Sequence, residues 1–539
     1  MVPRIVTKTL VALLAVALSA AAFGEGQTDS ATEAPETVLN LVSHGQERGL
    51  TGWARGGNFG MAVTNSLEES LPFDTLLLFD PTYSELRPHI AERWEASDDN
   101  LVYTFHLRQD VFFHDGEQMH ADDLVTSVHL GLGTGKAAGR TVAQLAKLEG
   151  AVDYREGAAD SITGIEIVDD FTVRFTLTEP SYTFLTAIAA QPIMPEHLLS
   201  EDLRENRTLI FQSEYWQHPI ATGPFKFSRS VPGDFAELLA YDDYFLGRPR
   251  IDKVIIWERD PIIAAEDGKL DFMWGRDPAQ IDQLLQTPGM TGYALENGVY
   301  KRELWSNMED ETMGDLRLRK AIAYAIDRDA IAAEFFDGYA NVWHTVVPPT
   351  FWSNRDLPQV PYDPDRSRQL LGDAGWDPDT ELTLIYYYTD PQTSDFMALI
   401  QSYLAEVGVK VSPRLVERDV GTVLHDKTQP WQLAYGARNS IDTGVLHQYA
   451  TGAGNSPTDY SNPTIDRMLA EMEASLDTAV RKRLADEIQA IIMDDMPTIP
   501  LYATKEYILH SERLKMPVTW LYRYSHPFDL RFHEWTIEP

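Results

Sequence analysis

The chain has 539 residues, a formal charge of −37 and no cysteine. Without cysteine there can be no disulfide, thiol catalysis or thiolate metal site, and so acidic a chain repels phosphate backbones and anionic lipid, which argues against nucleic-acid binding. Hydrophobic residues at 44% and aromatics at 11% supply large cores, and at roughly 150 residues per domain the length implies two to four of them.

The N-terminus reads as a secretory signal over residues 1–24. Arg4 and Lys8 supply the positive start, Leu10 to Ala22 the apolar run, and Ala20-Ala21-Ala22 or Ala22-Phe23-Gly24 a small-residue cleavage site. The run is too short to favour a membrane span, and no later stretch reaches ~18 apolar residues. Residues 25–36 are small and polar and read as a leader. With no cysteine to carry a lipid, the expectation is a free periplasmic protein.

Further along, 37–42 reads as a strand, and 103–107 alternates apolar and polar residues as a second. Asp115-Gly116 marks a turn, and residues 121–130 read as a helix with Leu124, Val125 and Val128 on one face. Residues 171–177 alternate again, and 251–257 is an apolar strand. Asp315 is placed to cap a helix that carries Leu318, Ile322, Ala325 and Ile326 on one side. Strand patterns at 382–388 and 409–416 flank the helical spacing of Phe396, Ile400 and Leu404, which makes a βαβ unit with parallel pairing. Two amphipathic helices follow, through Ile465 to Leu476 and Val480 to Ile492, and Pro497 and Pro500 end the second.

Motifs that suggest chemistry fail on spacing. GLGTGKA, from Gly131, has Leu130 where a phosphate loop needs glycine and Ala137 where it needs Ser or Thr. FFHDGEQMHADD, from Phe112, holds His114 and His120, but a glycine turn separates them and keeps them off one helical face; Asp122 and Asp123 fit the first turn of the next helix, where negative charge suits the macrodipole. No metal, cofactor or catalytic set is expected, so an exported hydrolase is only a distant alternative. Tryptophans gather in the second half, at 274, 305, 343, 352, 376 and 431, and two or three of them are expected to line a cleft.

Several segments, taken in order, resemble the family 5 extracellular solute-binding proteins of ABC importers, the peptide, nickel and opine group. YTFHLRQDVFFHDGEQMHADDLVTSV (103–128), IMPEHLL (193–199), ATGPFKF (221–227), YDDYFLGRPRIDKVIIW (241–257), GKLDF (268–272), DLRLRKAIAYAIDRDAI (315–331) and YDPDRSRQLLGDAGW (362–376) carry the resemblance. It makes the histidine segment scaffold, and it implies an α/β type II periplasmic binding fold of two lobes. Residues 25–65 would hold the leader and the start of lobe I, which would carry an extra subdomain at 66–190, continue through 191–275 and return at 497–539. Lobe II would span 276–496, with hinge crossings near 270–275 and 496–501. The lobes would close around a small-molecule solute and dock on an ABC permease as a monomer.

In peptide-binding members an Asp near a Gly-Trp strand end pairs with the ligand amine. Here the segment is LAYGARNSIDTG (433–444): Ser440 falls on the Asp position, Asp442 lies two residues later, and Ala437 replaces the Trp. Arg438 is the candidate anion partner. Trp305 and Asn307 follow the entry into lobe II, and Trp274, Trp352, Trp431 and Tyr435 are the further aromatic candidates. A di- or oligopeptide is the leading ligand and an oligosaccharide stacked on indole rings the alternative, with nickel or another solute behind them.

Overall fold

The computed structural model describes residues 36–42, 71–133, 140–206, 213–295, 300–348, 350–425, 429–439, 443–454, 456–517, 519 and 530–538. Three sheets organise them, and residues 37–539 form one unit. The first is seven-stranded. Its order runs Met290–Ala294, Tyr507–Ser511, Phe272–Gly275, Val38–Val42, Lys253–Trp257, Phe235–Ala240, Phe225–Val231. At its centre Val38–Val42 runs parallel to Lys253–Trp257 and to Phe272–Gly275, and Leu39, Leu41, Val254 and Ile256 are buried.

The second sheet is six-stranded, in the order Ala340–Val342, Thr498–Thr504, Tyr300–Ser306, Leu433–Asn439, Glu381–Tyr386, Lys410–Leu415. The βαβ unit is present: Glu381–Tyr386 pairs in parallel with Lys410–Leu415 across the helix Pro391–Glu406, whose Phe396, Ile400 and Leu404 are buried. The third sheet is four-stranded and antiparallel, in the order Ala91–Ala96, Val102–Leu107, Thr172–Thr176, Ile165–Asp169. Phe105 and Phe175 meet edge-to-face across two of its strands at 5.7 Å, and the helices Ala121–Leu132 and Tyr182–Ala189 pack on it.

The acidic composition has a local use. Asp260, Asp277, Asp363, Asp390 and Asn462 each cap a helix that begins with proline, accepting from backbone N–H groups of the first turn. The carboxylate or amide satisfies an orphan donor, and the proline supplies a preset φ where no N–H is needed. Asp315 caps Leu316–Ala325 in the same way, as expected.

The chain passes between the first two sheets after Ala294 and again after Thr504, and the two passages are tied together by a hydrogen bond from the Leu295 N–H to the Glu506 carbonyl at 2.8 Å. The expected crossings need correction. Phe272–Gly275 is an inner strand of the first sheet, and Thr498–Thr504 is an inner strand of the second. Pro500 sits at a bulge opposite Glu303, where the ladder register shifts and the missing N–H is tolerated. Leu476 lies past the end of its helix, Pro463–Glu473, and is exposed.

Candidate solute-binding site

Strand directions locate the site. In the first sheet the carboxyl ends of Val38–Val42, Lys253–Trp257 and Phe272–Gly275 share one edge, where Gly275 pairs with Tyr507 just after the second passage. In the second, the carboxyl ends of Glu381–Tyr386 and Leu433–Asn439 lie on the same edge as the start of Tyr300–Ser306, since Tyr300 pairs with Asn439. Both sheets therefore turn their carboxyl edges toward the two passages. In open α/β sheets the crevice outside the carboxyl ends is where ligands bind.

A buried charged cluster lies beside that edge. Tyr300–Ser306 alternates, so Lys301, Glu303 and Trp305 share one face and Arg302 and Leu304 the other. Cross-strand pairing sets Arg438 opposite Lys301 and Gly436 opposite Glu303. The Glu303 carboxylate accepts from Lys301 Nζ at 3.0 Å, from Trp305 Nε1 at 2.6 Å and from Arg438 Nε at 2.5 Å. The Arg438 guanidinium lies over the rings of Trp305 and Tyr449, at 5.0 and 5.8 Å. Gly436 is required by the ring beside it: a Cβ there would come within 2.1 Å of Trp305. On the other face the Arg302 guanidinium sits 4.0 Å from the Tyr388 ring centre and 5.7 Å from that of Tyr435.

Lys301 and Glu303 are fully buried. Burial pulls the Lys301 ammonium down to about 8, the Glu303 charge opposing it. Burial on its own would raise the Glu303 carboxyl, but Lys301 and Arg438 outweigh it and hold the group below its ordinary range. The carboxylate is thus ionised and surrounded by donors. Arg438 Nη2 and Arg302 Nη1 are buried with no hydrogen-bond partner among the described residues. From the first sheet, Arg276 reaches the passages, 5.5 Å from the Tyr300 ring centre and 3.8 Å from the buried Glu506 carboxylate. The arrangement offers fixed positive charge and aromatic faces, which can attract and orient a ligand.

The structure separates the expected site residues. Arg438 and Trp305 belong to the cluster at this edge. Asn307 does not: it follows the far end of Tyr300–Ser306, roughly 23 Å along the strand from Tyr300 at ~3.3 Å per residue. There it donates to the Trp431 carbonyl at 3.0 Å. Trp431 lies at that far end as well, with its indole N–H bonded to the Val423 carbonyl. Trp352 is buried and donates to the Tyr83 carbonyl, Trp274 packs edge-on to Phe272 in the core under the first sheet, and Tyr435 bonds to Tyr502 in the core of the second. The indoles are core side chains because large apolar rings lower the free energy most when wholly removed from water. Ser440 and Asp442 lie outside the described residues, as does most of GLGTGKA. Missed from the sequence were Lys301, Arg302, Glu303, Gly436 and Tyr449. Four of the five were passed over because a Lys-Arg-Glu run reads as solvent-facing and a strand glycine as a defect.

His114 and His120 are scaffold. His114 Nε2 faces the Gly223 carbonyl at 2.9 Å, and burial pulls its pKa down to about 4, so the ring is neutral. The His120 N–H donates to Asp123, fixing the start of the following helix.

Residues 85–457 match the family model described as bacterial extracellular solute-binding proteins, family 5. A Brucella melitensis protein named as an ABC transporter peptide-binding protein is 27% identical over 97% of this chain and 98% of its own. The dipeptide-binding protein of Escherichia coli is 25% identical over 79% of this chain and 82% of its own. Among solved structures, the oligopeptide-binding protein AppA of Bacillus subtilis, in complex with a nonapeptide, superposes with a TM-score of 0.70 at 19% identity, covering 94% of this chain and all of its own.

Proposed function

Since the chain belongs to the bacterial extracellular solute-binding proteins of family 5, we propose that it is the solute-binding component of an ABC importer and that its solute is a di- or oligopeptide. The observation that carries this is the pair of opposed carboxyl edges joined by two adjacent passages. Such passages let two bodies rotate about one short axis, and a ligand held between the edges favours the closed arrangement through contacts made only there. Lobe I is built on the seven-stranded sheet and carries the subdomain of residues 66–190; lobe II is built on the six-stranded sheet, from Tyr300 to Thr504.

The chain acts outside the cytoplasmic membrane, delivered by the signal at residues 1–24 and free of a lipid anchor. It works as a monomer that passes its solute to a permease and leaves it chemically unchanged. The peptide names of the Brucella and Escherichia relatives favour the peptide. An oligosaccharide would need exposed indole faces, and Trp274, Trp352 and Trp431 are occupied in cores.

The test is mass spectrometry of small molecules released when the purified protein is denatured. A peptide mixture is the expected result. A retained sugar oligomer would replace the peptide reading and leave the two-lobe mechanism standing.

A further inference from the structure

We infer that the subdomain at residues 66–190 clasps the proposed lobe II, and that this clasp holds the two lobes together without help from the solute. The inference rests on the two-lobe reading above and adds to it a second closing element, built from residues outside the crevice.

Two buried charges of lobe II, Glu473 and Arg481, form the clasp, and both meet the start of the subdomain helix Tyr182–Ala189. The Glu473 carboxylate accepts from the Thr183 N–H and from the hydroxyls of Ser181 and Thr183. It thus serves the first turn of a helix on the other body, where negative charge suits the macrodipole. Lys147 Nζ of the subdomain lies 3.7 Å from the same carboxylate. On the next helix, Thr478–Asp495, the Arg481 guanidinium lies 3.0 Å from the centre of the Tyr182 ring and 4.4 Å from that of Trp352. Trp352, itself on lobe II, donates to the Tyr83 carbonyl of the subdomain at 2.9 Å. Asn100 Nδ2 of the subdomain donates to the Ala474 carbonyl at 2.9 Å.

None of these residues belongs to the two passages or to the strands that end at the crevice. Each donor and acceptor named is the chain's own, so the clasp forms whether or not a solute is held. Its chemistry also lets it open. Glu473, Lys147 and Arg481 regain hydration when the bodies part, which offsets much of what their contacts contribute. A wholly apolar seam would have no such compensation. Charged contacts of this kind suit two bodies that separate and meet again.

One short helix joins the clasp to the crevice. Thr443–Tyr449 carries His447, whose Nε2 lies 2.9 Å from Glu473 Oε1, and Tyr449, whose ring centre lies 5.8 Å from the Arg438 guanidinium. Contacts made at the crevice edge therefore bear on the clasp through a single element.

The chain has no cysteine, so Val152→Cys on the subdomain and Ala470→Cys on lobe II, both exposed positions, take one pair of spin labels. Double electron–electron resonance reads their separation in solute-free protein that has been unfolded in guanidinium, dialysed and refolded. The expected result is one short separation in the labelled parent. Glu473→Gln should add a longer one, raising the open fraction about tenfold, the size of effect that follows from losing a hydrogen bond to a charged group. Adding Thr183→Val should raise it further. A long or broad separation in the solute-free parent overturns the inference, since the clasp would then fail without solute. A short separation that neither Glu473→Gln nor Thr183→Val changes also overturns it, since something else would hold the bodies together. Thr183→Val keeps the shape of the side chain and decides the matter alone if Glu473→Gln does not fold. No solute enters the measurement, so its failure is distinct from failure of the peptide reading, which the released small molecules decide.

Discussion

The backbone N–H of Thr183 donates to the carboxylate of Glu473 at 3.1 Å, across 290 residues of chain. The Thr183 hydroxyl and Ser181 Oγ donate to the same oxygen, at 2.5 and 2.8 Å, while His447 Nε2 lies 2.9 Å from the other. Thr183 opens a helix packed on the four-stranded sheet, and Glu473 ends a helix packed against the helix Thr478–Asp495. The contact therefore fastens the proposed lobe II to the subdomain beside it.

Glu473 should make the protein acid-sensitive. Burial by itself would raise its carboxyl, but the hydrogen bonds and charges of His447, Lys147 and Thr183 hold it down at about 2, against an ordinary 4.5. A carboxyl depressed by folding contributes stability that is complete above its unfolded pKa and is lost as pH falls through its folded one. Roughly 3 kcal/mol should disappear between about pH 5 and pH 2. Urea unfolding of wild type and Glu473→Gln at pH 7 and pH 3 checks this: the variant should be the less stable at pH 7, and the gap should narrow at pH 3. A gap that stays constant would show that the charge of Glu473 does not matter.

Gly436→Ala tests the packing that orders the crevice edge. The added methyl would overlap the Trp305 ring, so the ring must move, breaking its bond to Glu303 and its contact with Arg438. Overpacking of this kind typically costs about 1–3 kcal/mol. The expected outcome is that loss in chemical denaturation together with a shift in tryptophan emission. An unshifted spectrum and full stability would mean the ring is not held where it is described.

Asp315→Ala should cost about 1 kcal/mol, the usual worth of a helix N-cap, since its carboxylate accepts from the Arg317 N–H at 2.8 Å. Thermal unfolding of the two proteins measures it, and an unchanged midpoint would refute the cap. The position was legible from sequence because the signal is local: an Asp directly before a run with helical spacing. The βαβ unit was legible for the same reason, its period switching between 2 and 3.6 within one short window. Pro500 and the Lys301–Glu303–Arg438 cluster were not. Each depends on a partner more than a hundred residues away, a bulge opposite Glu303 in one case and a cross-strand arginine in the other. Family order located the end of Leu433–Asn439 as the region to watch and brought forward Arg438. The tryptophans misled because composition reports how many rings there are and says nothing of which side of a sheet they occupy.

Lys301 gives the opposite pH signature to Glu473. Burial depresses its ammonium to about 8, from an ordinary 10.5. Between those values the unfolded chain holds the proton and the folded protein releases it, so this group makes stability rise with pH across that window. Other lysines and the acidic surface have their own alkaline behaviour, and the comparison that isolates Lys301 is wild type against Lys301→Met, whose methionine keeps the length and apolar stem. The difference in unfolding free energy between the two should move in favour of wild type by roughly 2–4 kcal/mol from pH 7.5 to pH 10.5. A difference flat with pH would place the Lys301 nitrogen in contact with water.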